Sequence, residues 1–440
     1  MKKNFKNSKG QKLLKVAKKI IPGGNQLLSK RSEIFLPDLW PSYYTKAKGC
    51  ELWDLEKNRF YDFAGMGVTT CILGYADKDV NSAVTKAVKN STMTTLNTYE
   101  EVELAEKLID LHKWAEQVRF ARTGGEACSI AIRLARAATG KDKILFCGYH
   151  GWHDWYLSAN IKQKNLDDQL LPGLESKGVP SNLKDSVYPF SVNDYQSFEN
   201  ALKKFDNKIG AVIMEPVRSA KTDLNFLRKV RKKTKQIGAV FIFDEITSGF
   251  RETIGGYHLK YKINPDVAIL SKAMSNGYPS SAIIGIKSVM DQAQDTFVSS
   301  CMWTERIGFA AALATINKIE KKGVIKKLVS TGKEIKNGWV KAAKDAKLNV
   351  STAGIHPIPE LKFNYANNNE ISTYFIQEML FRGFLANTRL GTTLAYTDKI
   401  INHYLENVNE VFKSIEKYLS KGSNLPLKGP VRHTTFKRLI

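Results

Sequence analysis

The stretch Ala239-Val240-Phe241-Ile242-Phe243-Asp244-Glu245 runs five apolar residues straight into two acids. An unbroken apolar run of this length reads as a strand buried on both faces, as in parallel sheets. Four more short, mostly apolar runs lie at 118–121, 144–147, 211–214 and 267–270. Longer segments with helical spacing separate them, between about Phe63 and Glu320. Strands alternating with helices predict an α/β fold, a mostly parallel sheet with helices on both faces.

The flanks read differently. Leu13, Leu14, Ala17, Ile20 and Ile21 have the spacing of an amphipathic helix, stopped by Pro22-Gly23-Gly24. Residues 43–63 read as a hairpin around the polar turn 54–58. Past Gly323 come a strand-like stretch at 360–363 and helices near 371–382 and 398–419. The expected division is an N-terminal helix and hairpin (1–62) joining a small α+β domain, a large domain (63–322), and the rest of the small domain (323–440).

Composition narrows the class. With 43% hydrophobic and 25% charged residues in 440, the chain is ordinary globular material for two or three domains. No run of 18 apolar residues predicts a membrane span, and the lysine-rich N-terminus lacks a secretory apolar stretch. Five cysteines without a C-x-x-C pair argue against a disulfide framework or a zinc site, so no metal is expected. They argue for a reducing compartment, hence a cytoplasmic protein. The net charge of +24 could mean a nucleic-acid partner. The lysines, however, interleave with apolar residues at helical spacing and recognition motifs are absent, so the expectation is solvated helix faces, with no nucleic acid and no membrane.

Ligands of open parallel sheets bind beyond the carboxyl ends of the strands. Thr123-Gly124-Gly125 sits there and opens a helix, a cradle in which N–H groups and the helix N-terminus favour a phosphate. Tyr149-His150 follows another run, offering a flat ring and a hydrogen-bonding imidazole. Asp244 emerges from its strand as a carboxylate that needs a partner, either as a helix cap or as counter-charge for a protonated pyridine nitrogen. Lys272 stands at the mouth of the run 267–270, where a desolvated amine can add to an aldehyde. Phosphate cradle, aromatic platform, acid and amine together match pyridoxal phosphate.

With these residues the chain resembles the class-III pyridoxal-phosphate-dependent aminotransferases of fold type I, most of all the glutamate-1-semialdehyde 2,1-aminomutase branch. The likeness runs from Ile20-Ile21-Pro22-Gly23-Gly24 to about Leu419. Its pieces are Thr123-Gly124-Gly125-Glu126-Ala127, Gly148-Tyr149-His150-Gly151, Met214-Glu215-Pro216, Ile242-Phe243-Asp244-Glu245 with Ser248-Gly249-Phe250-Arg251, and Leu270-Ser271-Lys272-Ala273. It implies Lys272 as the Schiff-base lysine and proton carrier, Asp244 on the pyridine nitrogen, Gly124 and Gly125 on the phosphate, and Tyr149 on the ring. Glu126, His150, Glu215 and Glu245 are then supports. It further implies a homodimer with shared active sites, acting on small amine and carbonyl substrates.

The departures mark where transfer is weakest. The cradle reads Thr123-Gly124-Gly125 where the family has Ser-Gly-Thr. The threonine that reaches the partner's phosphate falls at Cys301, with Ser300 and Thr304 as substitutes. Met274-Ser275-Asn276-Gly277-Tyr278 replaces a glycine-rich turn, and the family's Gly-Asn is altered around Ser219-Ala220. Substrate-carboxylate candidates are Lys30, Arg31 and Arg389, a guanidinium being the bidentate choice. The expected activity is amino-group transfer between an amine donor and a carbonyl acceptor. The alternatives are glutamate-1-semialdehyde aminomutase, forming 5-aminolevulinate, and a non-catalytic basic binding protein on this scaffold.

Overall fold

A computed structural model describes residues 5–169, 172–205, 208–218, 221–321 and 323–435. The altered pair Ser219-Ala220 lies outside them, as does residue 322 at the expected domain limit. The chain divides into two compact units, Met1–Asp77 with Lys326–Ile440, and Lys78–Ile325. The division falls at 77/78 and 325/326 rather than 62/63 and 322/323. Residues 63–77 go with the first unit because Tyr75 donates its hydroxyl to Asp62 and bridges Gly49, while Leu394 N–H binds the Ile72 carbonyl.

In the first unit, β1 (Tyr44–Lys48), β2 (Glu51–Asp54) and β3 (Arg59–Phe63) form an antiparallel meander. The expected turn at 54–58 is there, held by Asp54 Oδ1 accepting the Glu56 and Asn58 N–H groups.

The second unit carries β4 (Gln117–Ala121), β5 (Lys143–Cys147), β6 (Val187–Pro189), β7 (Ile209–Met214), β8 (Val240–Asp244), β9 (Val267–Leu270) and β10 (Ser281–Gly285). Their order in the sheet is β4-β10-β9-β8-β7-β5-β6. Every neighbouring pair is parallel except those made by β10, antiparallel to β4 and β9. Each residue of β7 and β8 is buried, as expected of strands covered on both faces. The five apolar runs all became strands. The sequence reading missed β6 and β10, whose compositions (Val-Tyr-Pro, and Ser-Ala-Ile-Ile-Gly) carry too short an apolar signal. Helix Gly124–Thr139 begins with a capping box of Thr123 and Glu126 and ends at Gly140 in left-handed conformation (φ 64°).

The chain then returns to the first unit with β11 (Val350–Ala353), β12 (Glu360–Phe363) and β13 (Phe384–Ala386). β13 pairs parallel with β3, which joins the two ends of the chain in one sheet of order β1-β2-β3-β13. Helices Asn368–Phe381 and Asp398–Ser420 match the two expected in the tail. Phe63 stacks between Tyr396 at 4.4 Å and Tyr404 at 4.0 Å in this unit's core.

Candidate active site

The turn leaving β8 gathers the site. Asp244, its last residue, is 3% exposed and holds three donors. Oδ1 accepts the Ile246 N–H at 3.1 Å, while Oδ2 lies 2.8 Å from His150 Nδ1 and 3.5 Å from Cys128 Sγ. A carboxylate brought out of an apolar strand is tolerable when donors meet it this way. Two residues on, Ile246 packs against the cradle, and a Cβ on Gly124 would lie 2.6 Å from its Cδ1. Next along, Thr247 Oγ1 accepts from Lys272 Nζ at 2.9 Å. The acid, the amine and the cradle thus converge on four consecutive residues, 244–247.

Lys272 starts the short 3-10 turn Lys272–Ser275 just beyond β9, the strand next to β8. Its φ of 46° is left-handed, a costly conformation for a residue with a side chain and one that clusters at functional sites.

His150 is fully buried, with Nδ1 on Asp244 and no hydrogen-bond partner for Nε2 among the described residues. Because a carboxylate only accepts, the ring proton sits on Nδ1. The loop that carries it turns at Gly148 (φ 117°), where a Cβ would meet Glu215 Oε2 at 2.6 Å. Glu215 in turn accepts from the Tyr149 N–H at 3.1 Å and Arg218 Nη1 at 3.2 Å. The Tyr149 side chain stays partly exposed and meets Tyr156 edge-on.

Cys128 lies one helical turn beyond Gly124, fully buried. Burial, together with the neighbouring Asp244 charge, pushes its thiol well above the ordinary range. Ligand atoms of Cys128, His150 and Asp244 all fall within 4.8 Å of one another. A metal would need the thiolate, which that environment opposes, so the set is better suited to a hydrogen-bonded acid.

In the cradle, Thr123 spends its hydroxyl on the helix cap. Glu126 Oε2 accepts the Thr123 N–H (2.7 Å), the Thr123 hydroxyl (3.0 Å) and the Arg122 N–H (3.2 Å), and Oε1 accepts from Trp303 Nε1 (3.3 Å). Burial alone would raise the Glu126 carboxyl, but these donors together bring it below the usual range. The Gly124 and Gly125 N–H groups stay out of the capping box, facing the helix's positive end outward. A Cβ on Gly125 would come 3.0 Å from the His153 ring.

The segment expected to serve a partner subunit is exposed. Ser300, Cys301 and Thr304 line a short turn in which Thr304 Oγ1 donates to the Cys301 carbonyl at 2.9 Å. Arg122 fastens it, donating to the Met302, Glu305 and Pro279 carbonyls. Glu245 is fully buried and accepts from Ser248, the Tyr257 and His258 N–H groups and His258 Nδ1. Lys30, Arg31 and Arg389 belong to the other unit. There Lys30 is exposed, Arg31 is buried near Glu33, and Arg389 pairs with Glu360 at 3.2 Å.

Residues 38–411 match the class-III aminotransferase family. The chain belongs to that family. It is 28% identical to a 3-aminobutyryl-CoA aminotransferase of Cloacimonas acidaminovorans, over 93% of this chain and the whole of that one. It is 32% identical to a glutamate-1-semialdehyde 2,1-aminomutase of Methanothrix thermoacetophila, over 77% of this chain and 78% of the other. In structure it is similar to the FumI protein of Sphingopyxis sp. MTA144, solved as its PLP internal aldimine form, with a TM-score of 0.85 at 24% identity, covering 95% and 99% of the two chains. That likeness shows the fold, a fold type I PLP-dependent transferase.

Family membership implies pyridoxal phosphate, and the residues fit it: two cradle N–H groups, a buried carboxylate with acceptor capacity left, and an amine held nearby. The sequence reading missed Cys128, Thr247 and Trp303. The first was findable, since a residue four after Gly124 shares its helix face. Trp303 gave no signal, being 177 positions from its partner Glu126.

Proposed function

We propose that this class-III aminotransferase moves an amino group from a small amine to a carbonyl acceptor, with pyridoxal phosphate held by the second unit. The observation that carries this reading is the 244–247 turn, which takes Asp244 to His150 and Cys128 and, through Thr247, Lys272 to the same place. When bound, pyridoxal phosphate supplies an aldehyde for amines and a ring that accepts an electron pair. Gly124 and Gly125 would hold its phosphate at the capped helix end. Asp244 would keep the ring nitrogen protonated, with His150 donating to the carboxylate from behind. Tyr149 would cover a ring face.

Lys272 would be the amine that meets the cofactor's aldehyde and, once a substrate amine takes its place, the base that takes the proton from the substrate's α-carbon and carries it away from that carbon, which becomes the product carbonyl. Thr247 steadies Nζ between those tasks. We place the substrate carboxylate, where there is one, on Lys30, Arg31 or Arg389; of these Arg389 would first have to leave Glu360. The protein acts as a cytoplasmic homodimer, with Ser300 the best placed of the three partner candidates because Thr304 already donates its hydroxyl and cysteine is a weak donor.

The test is a half-reaction screen. Purified protein loaded with pyridoxal phosphate is mixed with single amines, and the loss of the cofactor's visible band is followed. At least one amine should bleach the band, and a carbonyl acceptor should restore it. Lys272→Ala should retain no borohydride-reducible bond to the cofactor; a reducible bond in that variant would remove Lys272 from its role. Release of 5-aminolevulinate from the semialdehyde with no added donor would instead select the aminomutase outcome.

A further inference from the structure

We infer that Cys128 is a positioning residue for Asp244: its thiol donates to Oδ2, and so ties the carboxylate to the helix whose N-terminus forms the phosphate cradle. This rests on the pyridoxal phosphate reading and deepens it.

The argument starts from acceptor counting. A carboxylate offers about four acceptor sites. Ile246 N–H takes one on Oδ1, and His150 Nδ1 and Cys128 Sγ share Oδ2. About one is left for a protonated ring nitrogen. The terminal torsion of an aspartate is soft and roughly two-fold, so a single donor on Oδ2 leaves the carboxylate plane poorly fixed. Two donors arriving from different elements, the loop after β5 and helix Gly124–Thr139, remove that freedom.

The second element matters most. Gly124 and Cys128 stand four residues apart in one helix, about 6 Å along its axis. That helix is capped at one end by Thr123 and Glu126 and stopped at the other by Gly140. One rigid element therefore carries both the phosphate N–H groups and the thiol that holds the ring-nitrogen carboxylate. The distance between the two anchors is set by helix geometry rather than by the loops. His150 makes this tie less directly, because its loop meets the cradle helix through separate contacts, such as Trp155 Nε1 donating to Ser129 Oγ at 3.2 Å, whereas Cys128 stands in the helix itself.

Cys128→Val and Cys128→Ala remove the donor with larger and smaller side chains, while Cys128→Ser keeps one. Affinity for pyridoxal phosphate is measured by titrating cofactor-free protein, together with melting of the cofactor-free form and the pH midpoint of the bound cofactor's visible band. We expect both donor-free variants to bind about 3–10-fold more weakly, the worth of one hydrogen bond, and Cys128→Ser to bind like the wild type. The band midpoint should rise by about a few tenths of a unit in Val and Ala only, because a carboxylate relieved of a donor presents more negative charge to the ring. Wild-type affinity and midpoint in Val and Ala would overturn the role. So would equal losses in Ser, Val and Ala, which would mean packing alone. If the wild type takes up no pyridoxal phosphate, it is the cofactor reading that fails.

Discussion

Two acid–histidine pairs stand side by side at the end of β8, and they are built to different ends. Glu245 and His258 are both completely buried and mutually bonded at 2.6 Å. His258 Nε2 also accepts from Trp114 Nε1 at 2.8 Å, so its proton sits on Nδ1 facing the acid. Ser248, Tyr257 and the His258 backbone complete the acid's shell. Asp244 and His150 are as deeply placed and bonded at 2.8 Å, yet His150 Nε2 has no partner among the described residues and Asp244 keeps acceptor capacity. A saturated pair fastens a loop; an unsaturated pair is poised to hold something else.

The comparison breaks most visibly on its own acids. Asp244→Asn removes the charge that would keep a ring nitrogen protonated. Turnover should fall by about 10³-fold or more, on the scale of losing a key electrostatic contact in a dry site, while stability falls less than in the Glu245 variant, since the amide oxygen can still accept from His150 and Cys128. Glu245→Gln sets an amide against donors that need acceptors. It should cost about 3 kcal/mol of stability, read as a lower urea midpoint, with turnover per folded molecule nearly unchanged. If the two variants behaved alike, the distinction between the pairs would be wrong.

How far this was legible in the sequence follows the same line. Asp244, Lys272 and the cradle glycines could be read because each follows a long apolar run whose end fixes where the side chain emerges. The strands β5, β7, β8 and β9 were legible for that reason, and β4 from its shorter run, whereas β6 and β10 were not, because their apolar signal is brief and flanked by serine or proline even though β10 is buried throughout. Glu245 was visible only as a support, since nothing in the sequence ties it to His258 or to Trp114, 144 positions away from that histidine. Contacts between distant segments with no periodic signature become visible only once the chain is folded.

The saturated region also predicts a pH response. His112 stacks on His258 at 5.5 Å, binds the Leu108 carbonyl through Nδ1, and accepts the Gly256 N–H on Nε2. Burial lowers its pKa from 6.5 to about 4; nearby His258 pushes the same way, and the Leu108 bond and Glu245 oppose it. Between those values the unfolded chain binds a proton that the folded one does not, so stability declines as pH falls from 6.5 and levels off near 4. From pH 6.5 to 5 the loss is about 2 kcal/mol. Urea midpoints of the wild type and His112→Gln should therefore converge as the pH is lowered through this window. Parallel curves would show that His112 does not carry the effect.

Glu126 sharpens the comparison, because it lies at the cradle and yet is saturated, with the Thr123 N–H and hydroxyl, the Arg122 N–H and Trp303 Nε1 all donating to it. If location decided behaviour, it would act like Asp244; if saturation decides, it should act like Glu245. Trp303→Phe separates the two, keeping the ring and removing one donor of four. The remaining three still close the capping box, so the Gly124 and Gly125 N–H groups should keep their aim. Pyridoxal phosphate affinity is then expected to change by less than about threefold, while stability drops by about 1 kcal/mol, the net value of one hydrogen bond. A loss of affinity much larger than the loss of stability would move Glu126 into the company of Asp244 and make the tie between the 301–304 turn and the cradle part of cofactor binding.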